Sequence, residues 1–98
     1  MTDSSEQYRP IDCSLYDYIE LACVHHYRVR IQLSVRYAGD EADASISGYA
    51  QTTRVAKDEG EFLQLKVGEH IGSVRLDHIV SMEALDDGAS FGVIFFKL

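Results

Sequence analysis

Ser14-Leu-Tyr-Asp-Tyr-Ile-Glu-Leu-Ala-Cys-Val-His-His-Tyr-Arg-Val-Arg-Ile-Gln-Leu-Ser-Val-Arg-Tyr37 changes its period near the middle. Up to His26 the apolar residues fall at Leu15, Tyr18, Ile19, Ala22 and Cys23, the spacing of a helix with one face laid on a core. From Val29 the pattern alternates, with Val29, Ile31, Leu33, Val35 and Tyr37 set against Arg28, Arg30, Gln32, Ser34 and Arg36. A helix over about residues 14–25 therefore hands the chain directly to a long strand.

The helix has readable ends. Ser14 reads as its N-cap, with Asp17 three residues on completing a capping box, and His25 or His26 suits the C-terminal end. Upstream, Pro10 favours an extended Arg9, and Ile11 is placed to staple the helix to the core. At about 100° per residue, Tyr16, Asp17, Glu20 and Val24 lie opposite the buried stripe. Two carboxylates and a phenol should thus project from one short helix. From chemistry alone such a face is ordinarily a solvated surface whose Asp17 complements the helix dipole.

Beyond the first strand, residues 38–43 read as a turn and 44–53 as a second strand, weakened or bent at Gly48. Lys57-Asp-Glu-Gly60 turns again into a strand over 61–67, with Phe62, Leu63, Leu65 and Val67 as inward candidates. Gly68-Glu69 leads to strands at 71–76 and 79–84 with a break at Asp77-His78, and 90–98 is an apolar run suited to a last strand, buried on both faces or paired at an edge. One helix followed by five or six short antiparallel strands gives a mainly β (α+β) fold, a small barrel with a helix at one end. The segment Val74-Arg-Leu-Asp-His-Ile-Val-Ser-Met82 resembles the fourth strand, one-turn link and fifth strand of an Sm-like barrel.

The 98 residues suffice for one domain, expected over 8–98, with residues 1–7 a polar, frayed start. A formal net charge of −7 opposes a primary contact with phosphate backbones, so no direct nucleic-acid partner is expected. Asp3, Glu6, Asp12, Asp17 and Glu20 against Arg9 alone occupy the first twenty positions, and a basic protein surface is their natural complement. No apolar run approaches the roughly 20 residues that span a bilayer, and no export signal opens the chain, so a cytoplasmic location is expected. Cys13 and Cys23 should stay thiols, since ten residues of helix hold them about 15 Å apart.

Other chemistry finds little support. Cys13, Cys23, His25 and His26 lack the paired short spacings of a metal site, and Cys23 lies on an apolar stripe where nothing generates a thiolate. No phosphate loop or catalytic constellation appears, so neither enzyme, cofactor nor metal is expected. Arg28, Arg30 and Arg36 with Tyr37 offer a basic, aromatic strand face, which keeps an Sm-like RNA-binding protein as the alternative reading. Asp40, Glu41 and Asp43 close by favour a salt-bridged or solvated face instead.

The wording Tyr-x-Pro-Ile-x-Cys-x-x-Tyr-Asp-x-x-Glu-x-Ala-Cys-x-His-His, from Tyr8 to His26, resembles the opening of the Rho-binding antiterminator family, also called Rof or YaeO. The likeness reaches to about Phe96 and is dense again from Glu61 through Ile79. It implies an inhibitor, monomeric when free, that binds the hexameric terminator Rho at or beside its primary RNA-binding domains. The implied contacts are Tyr16, Asp17 and Glu20, with Asp12 and the Lys57-Asp58-Glu59 loop as outer contributors.

Overall fold

The computed structural model describes residues 7–37 and 40–97, with residues 35–37 and 40–42 described in the backbone only. The expected fraying of residues 1–7 therefore lies largely outside the described residues, as do the side chains of Arg36 and Tyr37. Of the turn expected at 38–43 only 38–39 lie outside, and 40–43 are strand, paired from Tyr37↔Asp40 to Ser34↔Asp43. Helix α1 spans Cys13–His25. Strands β1 (Arg28–Tyr37), β2 (Asp40–Ala56), β3 (Gly60–Val67) and β4 (His70–Arg75) follow, then a one-turn 3-10 helix (Leu76–His78), β5 (Ile79–Ala84) and β6 (Val93–Phe95).

The helix begins two residues before the expected register. Asp12 is the N-cap, with φ −62° and ψ 144°, and its carbonyl accepts the N–H groups of Leu15 and Tyr16, each at 3.0 Å. Ser14 is already helical and donates to Asp12 Oδ2 at 3.3 Å, so the Ser14/Asp17 capping box does not form. The reason is the extended run through Pro10, which delivers the first free carbonyl at Asp12. At the other end His26 does cap, in the left-handed conformation (φ 51°, ψ 43°). Its N–H reaches Cys23 O at 3.2 Å and that of Tyr27 reaches Ala22 O at 3.0 Å, a Schellman closure that turns the chain into β1.

All strand pairs are antiparallel, in the order β4-β3-β2-β1-β5-β6. Among the described residues no ladder joins β4 to β6, so the expected barrel is an open sheet with two edges. The predicted one-turn link between β4 and β5 is present. β2 is much longer than expected and carries a bulge between Ala50 and Thr52, where its register against β3 shifts. A bulge adds a bend and local twist, and it lets the sheet curve past the helix start. At Gly48 a Cβ would stand 2.7 Å from the Lys66 carbonyl oxygen, so the close approach of β3 requires glycine there.

The core lies between α1 and the inner face of the sheet. Ile19 and Ala22 of α1 are fully buried with Val29, Ile31, Ala50, Leu63, Leu65, Leu76, Ile79 and Met82. Leu15, Tyr18 and Cys23 are half-buried, a shallower stripe than the periodicity suggests. Burying a side chain such as Ile19 contributes about 1.5–3 kcal/mol. In β3 the alternation falls on Leu63 and Leu65, which places Glu61 on the same side, whereas Phe62 faces away and Val67 is exposed at the strand end. The last run is a three-residue edge strand on β5, the second of the two placements expected, with Val93 46% and Phe95 64% exposed because they share a face with Glu83, whereas Ile94, opposite buried Met82, is half-buried. Among the described residues no helix is long and apolar enough to cross a membrane.

Candidate protein-binding face at the helix start

Three elements far apart in sequence meet where α1 begins. The carboxylate of Asp77, in the 3-10 turn, accepts the Arg9 backbone N–H at 2.9 Å and takes the Arg75 guanidinium through Nε at 2.6 Å and Nη2 at 2.9 Å. Asp77 is only 7% exposed. Burial alone would raise its pKa, but the Arg75 and Arg9 hydrogen bonds outweigh that and hold the carboxyl below its ordinary value. This carboxylate pins the segment that feeds the helix. One residue earlier, Tyr8 lies with its ring centroid 5.7 Å from the Arg75 guanidinium carbon and against Gly60, whose φ of 112° and contact with that ring leave no room for a Cβ. Burial, and then the nearby Glu61 charge, push the Tyr8 phenol up.

Tyr16 does not project into solvent as the helical wheel suggests. Its hydroxyl donates to Glu61 Oε2 at 2.6 Å and lies 3.2 Å from Thr53 Oγ1, so it ties α1 to β3 and β2. The bond to Glu61 raises its pKa, with Thr53 opposing. Tyr8, Pro10, Ile11, Cys13, Tyr16, Asp17 and Glu61 line a cavity of about 310 Å³.

Asp17 is exposed at that cavity, and Glu20, one turn along the helix, is exposed as well. Lys57 and Asp58 flank a neighbouring recess that shares Tyr8 and Glu61, so the structure brings this turn beside the helix start. Glu59 is exposed in the same turn. Asp12 faces a separate recess with Arg9, Asp77 and Lys97. Tyr8, Glu61 and Asp77 are the residues that sequence reasoning missed. An acid in phase with Leu63 and Leu65 was the available signal for Glu61.

The remaining candidates lie elsewhere. Among the described residues no group of three or more His, Cys, Asp or Glu is placed to hold a metal. His25 stacks on Tyr27 with centroids 5.1 Å apart, and His26 Nδ1 lies 2.9 Å from Ala50 O. Both cysteines are free, and burial, helped by the Glu20 charge, pushes the Cys23 thiol up to about 11. On the sheet face away from α1, Arg28 and Arg30 are exposed and Arg30 pairs with Glu83 at 2.9 Å.

Residues 10–96 match the family described as "Modulator of Rho-dependent transcription termination (ROF)". The chain belongs to the Rof family. It is 31% identical over 77 residues to protein rof of Escherichia coli (strain K12) and to that of Shigella flexneri, over 79% of this chain and 82% of each relative. A solved structure described as YaeO bound to magnesium, from Vibrio cholerae O395, is 34% identical, with a TM-score of 0.67, and the match covers 84% of this chain and 97% of that one. Its one helix and antiparallel strands follow the fold of a Rof protein. Membership makes the chain a non-enzymatic modulator of Rho-dependent termination.

Proposed function

We propose that this Rof-family chain binds Rho directly and inhibits termination by occupying its primary RNA-binding surface. A surface that gathers single-stranded RNA is a cationic groove. Carboxylates held on a rigid helix compete for the same arginines and lysines through charge-assisted hydrogen bonds. The observation that carries this reading is the exposure of Asp17 and Glu20 one turn apart on a helix anchored by fully buried Ile19 and Ala22. Asp12, Lys57, Asp58 and Glu59 are the flanking contacts, and Tyr16 serves by walling the cavity at Asp17.

The test is co-migration of the purified chain with purified Rho, with single-stranded RNA added as competitor. The wild type should bind and be displaced. Asp17→Arg with Glu20→Arg should weaken binding at least about 100-fold while leaving the fold intact, since neither side chain is buried. Undiminished binding by that double variant overturns the reading. Loss of co-purification on nuclease treatment would favour the RNA-binding alternative.

A further inference from the structure

The ingredients of a guanidinium site occur twice around Tyr8. On one side the set is complete: the Tyr8 ring, the Arg75 guanidinium 5.7 Å from its centroid, and the Asp77 carboxylate that takes Arg75 at 2.6 and 2.9 Å. On the other, the 310 Å³ cavity has aromatic walls in Tyr8 and Tyr16 and carboxylates in Glu61 and Asp17. Among the described residues neither Glu61 nor Asp17 forms an ion pair. We propose that this cavity receives one arginine side chain of the protein partner, stacked against the tyrosines and bonded to Glu61 and Asp17. The identity of that partner as Rho rests on the reading above.

Size and charge select this occupant. The volume stands at the small end of the roughly 300–1,000 Å³ of ligand pockets, room for one long side chain rather than a nucleotide. Two carboxylates repel a phosphate and attract a cation. Tyr16 occupies only one Glu61 oxygen, and an ionised carboxylate has about four lone-pair sites, so Glu61 keeps capacity for a fork of donors. Between the two long cations, arginine matches flat aromatic walls and paired oxygens, whereas lysine brings a compact, strongly hydrated point charge. The same Tyr16 bond that hides its phenol from solvent fixes Glu61 in place before the partner arrives.

The experiment titrates the full isotope-labelled chain with Nα-acetyl-arginine amide and, separately, with Nα-acetyl-lysine amide, followed by amide and tyrosine-ring shifts. Arginine should move the signals of Tyr8, Cys13, Tyr16, Asp17 and Glu61, and lysine should bind more weakly. Glu61→Gln, which still accepts from Tyr16, should weaken the arginine response about tenfold, and Glu83→Gln should leave it unchanged. Shifts spread evenly over exposed acids, an equal response to lysine, or an unaltered response in Glu61→Gln overturns the cavity's role. A wild-type chain that takes the arginine probe yet fails to co-migrate with Rho leaves the cavity standing and overturns the choice of partner. If Rho is bound equally by wild type and Glu61→Gln, the partner stands and the arginine contact falls.

Discussion

Arg75 and Asp77 meet at 2.6 Å under the helix start, where their side chains are 13% and 7% exposed, while Arg30 and Glu83 meet at 2.9 Å on the outer sheet face, 48% and 39% exposed. An arginine–carboxylate pair at similar separation does different work in the two places. The outer pair joins neighbouring strands that the β1–β5 ladder already holds in register. The buried pair is local, only two residues apart, but its carboxylate also takes the Arg9 backbone amide 68 residues away in sequence and so ties the helix entry to the 3-10 turn. Water screens the first and is largely excluded from the second, so removing one partner leaves an exposed charge in one case and a buried one in the other.

The contrast breaks most visibly at Asp77. Asp77→Ala should cost about 3–5 kcal/mol in urea unfolding, because two charge-assisted bonds to Arg75 are lost at a site largely closed to water and the Arg9 N–H loses its acceptor. Arg75→Met with Asp77→Leu should be more stable than the single variant, which separates the cost of breaking the pair from its net worth. The pH dependence has a definite sign. A carboxyl whose folded pKa is depressed contributes fully above its unfolded value of about 3.9 and loses that contribution as pH falls through the lower folded value. Acid unfolding followed by circular dichroism should therefore show a shallower limb below about pH 4 in the double variant than in the wild type.

Backbone strain gives a smaller and more local contrast. Gly60 and Gly88 both have positive φ, 112° and 78°, yet a Cβ at Gly60 collides with the Tyr8 ring and one at Gly88 meets nothing within 4 Å. Gly60→Ala should cost about 1–3 kcal/mol and move the Tyr8 ring signals. Gly88→Ala, near the β5–β6 edge, should cost about 1–2 kcal/mol from its left-handed backbone alone and leave Tyr8 undisturbed. Equal shifts at Tyr8 in both variants would mean that the ring is not seated on Gly60.

These regions also differ in how far the sequence reveals them. Periodicity places Ile19 and Ala22 inward, and alternation places Val29 and Ile31 inward, because each pattern is a property of a single element. The 3-10 link at Leu76–His78 is equally local. What joins elements is not written in any one of them. The periodicity groups Tyr16 with the outward face, but it stands at the margin of that face, and whether it meets water depends on Thr53 and Glu61, 37 and 45 residues away. Asp77 reads as a turn residue until Arg9 arrives. With Phe62 and Leu63 both apolar, parity is undecided from the strand alone, and it is settled by which side α1 covers. The terminal run leaves two placements open for a related reason: Val93 and Phe95 are apolar enough for a core, but burial needs a layer over their face, and they lie at the sheet edge on the face that carries Glu83.

The gentlest test lies on the outer pair. Glu83→Gln removes one charge from Arg30 but leaves both side chains in water and the strand ladder intact, so the loss should be under about 1 kcal/mol. Whatever remains should shrink as salt is raised, because at about 0.15 M the Debye length is about 8 Å and exposed charges are partly screened already. The Asp77→Ala loss should change far less over the same salt range, since ions reach a 7%-exposed carboxylate poorly. Unfolding both variants in urea at low and high salt reads the two dependences side by side. If Glu83→Gln costs as much as Asp77→Ala, or if both losses fade together with salt, then burial is not what distinguishes the pairs, and the helix start is held by its apolar contacts at Ile11 and Tyr16 rather than by the Asp77 carboxylate.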